Sequence, residues 1–440
     1  MDAGVVVTLP RWIRESRRGE LRTLATRSRQ VVVLAAVTGV VTGLFVAGFE
    51  RIVIGVMFDR VLRLPLWLIA VLPCCGLLLA LIARRTVGGG ASPATSDEYL
   101  QAFHNPQHRL GVRGFIARTV AGLATLGTGG PMGLEGPSLY SGAVIGSNLQ
   151  ERLPNAFRGA DRRVLLVAGA AAGVAAIFKA PATGAVFALE VPYQDDIARH
   201  MLLPALVSSA TGYLAFAAIN GTAPLFPIDA SPRLDFRDLA GAIVLGLIAA
   251  LGARAFARML RTAKRIATMP RPGLIALGAG AGVAVLFVAG RLVTGESLIV
   301  GPGYHVLSWA AEPGRSLWVL AAVLVLRCLA TSATVAGGGV GGLFIPLVIA
   351  GALTGAVVAA AVGVDDPDLF IVVGVAAFLG AGYRVPLAAV MFVAETTGRP
   401  SFIVPGLLAA VAAELVMGQA SVTALQQPRV GRLRGDTAAR

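Results

Sequence analysis

Two stretches of this chain carry the same pattern 209 positions apart. Residues 118–137, RTVAGLATLGTGGPMGLEGP, align without gaps on residues 327–346, RCLATSATVAGGGVGGLFIP, matching Arg118 with Arg327, Thr125 with Thr334, Gly133 with Gly342, Leu134 with Leu343 and Pro137 with Pro346. Farther on, Gly142 and Gly146 fall over Gly351 and Gly355. A second pair follows at an offset of 205, where FKAPATGAVFALE from Phe178 lies over YRVPLAAVMFVAE from Tyr383 and matches Lys179 with Arg384, Pro181 with Pro386 and Glu190 with Glu395. Two pairs in the same order at nearly equal offsets mark an internal duplication. The chain must therefore build two like halves, and the polar, Pro-containing stretch 221–236 is the natural connector between them.

The halves are made for lipid. Hydrophobic residues are 56% and charged residues 14% of 440, and the mean hydropathy of +0.75 excludes an ordinary soluble domain. Charge-free runs at 31–49 and 64–83 are long enough to cross a bilayer, since ~20 apolar residues cover its hydrocarbon core. The runs at 119–134, 136–150, 164–178, 239–253 and 369–383 are shorter or interrupted, and most are rich in Gly or Pro. They predict half-helices and re-entrant segments, which survive at membrane depth only where protein or a water-filled cavity receives their backbone polar groups.

Within this apolar setting, 127–146 (GTGGPMGLEGPSLYSGAVIG) places one ionisable residue, Glu135, in a glycine-rich turn that Pro137 converts into a helix start. Proline there costs no hydrogen bond, because the first N–H groups of a helix have no internal acceptor. Those groups and the helix dipole form a ready anion seat, which glycines let an anion approach closely. The segment reads as an anion seat with a carboxylate poised over it, the bland alternative being a glutamate that only caps a helix. In a two-repeat membrane fold the helix starts at Pro137 and Pro346 would meet at the repeat interface, and 88–93 (GGGASP) offers a third such start.

The net charge of +14 does not require nucleic acid, because the charges sit between apolar runs, as the positive-inside rule expects. Residues 1–30 hold seven Arg against three acids, 254–271 six basic residues and no acid, and 429–440 four Arg against one acid, which predicts all three on the cytoplasmic side of a cell membrane. Residues 10–28 suggest an amphipathic surface helix, with a disordered basic arm as the alternative. No removable signal peptide is expected. Cys74, Cys75 and Cys328 lie in apolar runs as packing residues, and His104, His108, His200 and His305 form no metal-ligand spacing. No nucleophile with a base and no metal cluster is evident, so neither an enzyme nor a cofactor is expected. The expected organisation is a basic segment 1–30, a first membrane repeat 31–220, the connector 221–236, a second repeat 237–427 and a basic tail 428–440.

With these residues in view, the chain resembles the CLC family of chloride channels and chloride/proton exchangers. GLEGP at 133–137 is similar to the family's G-(K/R)-E-G-P signature, GGLFIP at 341–346 to G-G-(I/L)-F-x-P, and GGGASP at 88–93 to a degenerate G-S-G-I-P; the resemblance spans roughly residues 30–425. It implies an all-α polytopic membrane fold of two inverted-topology repeats with about eighteen broken or re-entrant helices, assembled as a homodimer with one pore per protomer. It also implies that Glu135 is the external gating glutamate, which occupies an anion site when ionised and swings aside when protonated. The backbone of Leu134, Glu135, Gly136, Leu343, Phe344 and Ile345 would line the anion sites, sharing among several dipoles the cost of dehydrating a buried ion.

The departures bear on mechanism. The family's pore serine falls on Gly90, within the loop Gly90, Ala91, Ser92, leaving Ser92 as a substitute hydroxyl two residues on; its pore tyrosine falls on Val422, next to Thr423. The internal glutamate of exchangers, second of an E-E pair, is Val191 here, which carries no proton. Glu190 remains, and its match with Glu395 suggests a structural, helix-end role. Lys179 is expected near the inner vestibule as an electrostatic attractor of anions, with pairing to Glu190 or snorkelling as alternatives. On this pattern the favoured expectation is a passive, glutamate-gated chloride channel; the alternative is a chloride/proton antiporter using another relay. The expected partners are chloride or similar anions, protons under the second reading, and the bilayer.

Overall fold

The computed structural model describes residues 11–152, 162–194, 196–223, 225–226, 235–364, 366–418, 420–423 and 425–428, with the backbone alone for 11–28. The expected basic tail, most of the connector and the first ten residues lie outside the described residues. The first half comprises α1 (Arg11–Glu50), a π-helical stretch (Arg51–Phe58), α2 (Asp59–Val61), α3 (Leu66–Thr86), α4 (Thr95–His104), α5 (Val112–Gly127), α6 (Glu135–Arg152), α7 (Arg162–Phe178), α8 (Pro181–Glu190) and α9 (Leu202–Asn220). The second comprises α10 (Phe236–Ala267), α11 (Pro272–Thr294), α12 (Tyr304–Ala311), α13 (Leu317–Ala336), α14 (Phe344–Val362), α15 (Asp368–Tyr383), α16 (Pro386–Thr397) and α17 (Ile403–Met417). Among the described residues eight helices are long and apolar enough to cross a membrane, so this is a multi-pass membrane protein.

The duplication runs through the packing. In the first half α1 packs on α9, α3 on α5 and α6 on α7; their counterparts α10 on α17, α11 on α13 and α14 on α15 repeat the arrangement. Counterparts also meet across the halves, α3 with α11 and α8 with α16. The matched glycines explain how α6 and α7, and likewise α14 and α15, approach so closely: a side chain on Gly142 would strike the carbonyl of Gly169, and one on Gly351 that of Gly374. Small residues that let backbones touch are the usual device where lipid offers no hydrophobic drive to association.

Two expectations shift. The apolar run 239–253 is part of one long helix, because the basic stretch beyond it stays helical to Ala267, with Arg254 donating to the carbonyl of Val416 at 3.1 Å. The helices at the duplicated motifs begin at Glu135 and Phe344, each two residues before its proline.

Candidate functional site

Gly133 and Gly342, counterparts in the duplication, form an isolated antiparallel bridge. Gly133 N–H donates to Gly342 O at 3.0 Å and Gly342 N–H to Gly133 O at 2.6 Å. This pairing brings the start of α6 against the start of α14. Glu135, only 4% exposed, reaches across from its own helix start, where its backbone N–H also meets the carboxylate, to the other: its Oε1 accepts the N–H of Phe344 at 2.6 Å and of Ile345 at 3.2 Å. A β-carbon on either Gly133 or Gly342 would collide with the Glu135 carboxylate, so the glycines supply room for it. The Phe344 side chain sits among Phe178, Phe392 and Phe187, with ring centroids 4.4, 4.9 and 5.3 Å away.

Behind Leu343 lies a cavity of about 210 Å³ lined by Ser92, Thr95, Asp97, Lys264, Tyr383 and Val422 among others. Of the sequence-derived anion ligands, Ser92, Leu343 and Val422 line this cavity; Phe344 and Ile345 give their N–H groups to Glu135; Gly90, Ala91, Leu134 and Gly136 are not in the cavity wall. The loop 88–93 is held by buried arginines: Arg84 donates to Ala91 O at 3.0 Å and Arg118 to Ser92 O at 2.9 Å. Arg327, counterpart of Arg118, likewise donates to a loop carbonyl before its helix, Gly301 O at 3.1 Å. The Ser92 hydroxyl accepts the N–H of Ala94 at 3.2 Å, so it serves its own turn.

Sequence comparison missed three side chains. Tyr383 is buried at the end of α15, and its hydroxyl faces Ser96 and the backbone of Leu343. It lines the same cavity as Val422, so that wall carries a tyrosine hydroxyl although position 422 is apolar. Thr95, 1% exposed, lies with its Oγ1 beside Gly136 and without a hydrogen-bond partner among the described residues. Lys264 enters the cavity wall from the last turn of α10. Only the pairing of Tyr383 with Phe178 in the duplication hinted at the first; nothing local marks the other two.

Glu190 and Glu395 are reciprocal caps. Glu190 accepts from Leu387 N–H at 3.1 Å and Ala388 N–H at 2.9 Å at the start of α16. Glu395 accepts from Ala182 N–H at 2.8 Å and Thr183 N–H at 2.7 Å at the start of α8. The helix-end reading of Glu190 thus describes its geometry. Lys179 is not beside the cavity and does not pair with Glu190. It precedes α8, whereas Glu190 closes the helix and Val191 follows it, roughly 15 Å away at 1.5 Å per residue. Its ammonium donates to Ala223 O at 3.1 Å, near Glu50. An inverted pair has opposite ends, and the sequence alone did not say which end faces the cavity.

A profile of the voltage gated chloride channel family matches residues 75–418. The H(+)/Cl(-) exchange transporter ClcA of Citrobacter koseri is 27% identical over 425 residues, covering 91% of this chain and 89% of that protein. The same-named protein of Salmonella paratyphi B is 26% identical over 434 residues, covering 92% and 89%. In fold, the chain is similar to a CLC-type fluoride/proton antiporter (TM-score 0.77, 24% identity, 90% of this chain and 98% of that one). It is also similar to a slow cyanobacterial Cl-/H+ antiporter (TM-score 0.78, 21% identity, 88% and 94%).

Proposed function

The chain belongs to the voltage gated chloride channel family, and from that premise we propose that it exchanges a small anion for a proton, with Glu135 serving both as gate and as proton carrier. CLC-type anion transport is the common ground of both readings made from the sequence. The exchange reading is preferred to the passive one because relatives aligned over most of the chain are named proton/chloride exchangers.

The observation that carries the proposal is the seat of the Glu135 carboxylate on the N–H groups of Phe344 and Ile345. Those donors, at a helix start with its dipole behind them, are what an anion would use in place of water. Anion and carboxylate compete for them, and a proton on Glu135 removes the charge that wins the competition. Anion entry is thereby tied to proton uptake.

Val191 does not pass the proton on, and Glu190 is engaged in capping α16. The cavity behind Leu343 supplies the alternative route: at about 210 Å³ it has room for several waters, each needing about 10–15 Å³ on this measure. Water there reaches the level of Tyr383 without a carboxylate at position 191. We extend the proposal to two copies of the chain, one pore each, with both ends on the cytoplasmic side.

Purified protein in liposomes tests the reading, with chloride and proton gradients set against each other. An outward chloride gradient is expected to drive protons uphill. A reversal potential that follows chloride alone would overturn exchange and leave the passive channel.

A further inference from the structure

One stripe of α10 changes character along its length. At alternating steps of three and four residues it reads Val244, Leu247, Leu251, then Arg254, Arg258, Arg261 and Arg265, a spacing that keeps side chains on one helix face. That face points away from the protein. Val244, Leu247 and Leu251 are 55%, 39% and 63% exposed, whereas Ala253, Phe256 and Leu260 on the opposite side are buried. Arg258 and Arg265 are exposed and Arg261 half-buried. In a multi-pass membrane protein an exposed aliphatic stripe meets the lipid tails, so the arginines that continue it meet the layer just beyond the tails.

Helix length puts them at the phosphates. With 32 residues, α10 is roughly 48 Å long at 1.5 Å per residue, against a hydrocarbon core of about 30 Å. Its charge-free residues run only from 239 to 253, so the excess length lies at the basic end. Arg258 stands about 10 Å and Arg265 about 20 Å beyond Leu251 along the axis.

The chain does not neutralise this end. Arg254 is engaged with Val416 O at 3.1 Å, but among the described residues no carboxylate pairs with Arg258, Arg261 or Arg265, and 254–271 contains no acid. Like charges three and four residues apart repel one another. The helix dipole offsets this only in the last turn, which holds Arg265 and not the other two. A guanidinium fork matches phosphate oxygens in pairs. We propose that Arg258, Arg261 and Arg265 form a docking surface for anionic lipid headgroups, which selects lipids of net negative charge over zwitterionic ones. Continuity of the stripe favours lipid over a soluble acid, because a single bilayer supplies tails for Leu251 and phosphates for the arginines above it. The surface rests on membrane residence alone and is independent of whether anions move with protons.

Native mass spectrometry of the full chain, released from detergent after addition of phosphatidylglycerol or phosphatidylcholine, tests it. The native chain is expected to bind phosphatidylglycerol more tightly. Arg258→Gln, Arg261→Gln and Arg265→Gln are each expected to weaken that binding about fivefold, the equivalent of about 1 kcal/mol per basic residue at a membrane surface, and to leave phosphatidylcholine binding as it is. Arg258→Lys is expected to keep most of the affinity, since the charge is retained. Arg60→Gln, at an exposed arginine of α2, is expected to change nothing. Equal affinity of the native chain for the two lipids, or phosphatidylglycerol binding unchanged in the three Gln variants, overturns the surface. Displacement of phosphatidylglycerol by inorganic phosphate, or tighter binding of polyglutamate than of phosphatidylglycerol, overturns the choice of lipid as its occupant.

Discussion

Gly133 and Gly342 hold each other by two backbone hydrogen bonds and are each other's counterpart in the duplication. A reciprocal bridge between counterparts marks the axis that relates the two halves, so whatever one half places beside the bridge faces the helix start of the other. Two residues on, the halves differ: Glu135 in the first, Phe344 in the second. The carboxylate of Glu135 therefore lies on the N–H of its own counterpart. One half supplies the charge, and the helix starts of both halves supply the donors that receive it.

Acid is expected to raise anion flux in the native chain, because protonation takes away the charge-assisted bonds that hold Glu135 on Phe344 and Ile345. In Glu135→Gln the side chain has no charge to gain or lose. Flux there is expected to be high at every pH and to move no protons. Chloride flux and proton uptake recorded together across a pH series check both points, and an unchanged pH profile in the variant removes Glu135 from the gate.

Gly133→Ala puts a methyl group where the Glu135 carboxylate lies, the nearest atoms all belonging to that side chain. Overpacking of this kind costs about 1–3 kcal/mol, and here it is relieved by expelling the carboxylate. The variant is expected to melt at lower temperature and to conduct anions with a flattened pH response. Gly241→Ala, whose added methyl meets nothing within 4 Å, serves as the control and should do neither. Thermal melts with liposome flux decide it.

Glu190→Gln and Glu395→Gln remove a charge from a pair of cross-repeat caps. Each is expected to lower stability by up to about 1.5–3 kcal/mol, the usual contribution of a hydrogen bond to a charged group. The ratio of protons to anions moved should stay as in the native protein. A changed ratio in Glu190→Gln alone would make Glu190 a proton carrier as well as a cap.

Lys179 lies at the Glu50 end of α8, away from the cavity. Lys179→Met is expected to reduce flux of anions supplied from that side, more at low salt than at high salt, because exposed charges are screened over about 10 Å at 0.1 M. Flux measured from each side at two ionic strengths separates this from a general loss of function.

Much of this was legible before any coordinates. Composition and charge-free runs decided membrane residence; the paired motifs decided two halves; Gly-Pro helix starts and a lone carboxylate pointed to the place where the two helix starts meet. These are local properties, set by hydropathy, by the missing N–H of proline and by the small size of glycine. Reading along the chain failed where a partner comes from far away. Thr95, Lys264 and Tyr383 sit in three different parts of the sequence and share one cavity. Lys179 went to the wrong end of α8 because direction in an inverted pair is not written in spacing.

The sequence by itself determined the medium, the duplication and the lone carboxylate at a glycine-rich helix start, since each follows from the chemistry of residues close together in the chain. Only the tertiary structure decided which donors Glu135 meets, that Glu190 and Glu395 cap each other's halves, and that side chains from three segments close one cavity. Those outcomes depend on how one half docks against the other, and docking is fixed by packing across the repeat axis, which no stretch of sequence contains.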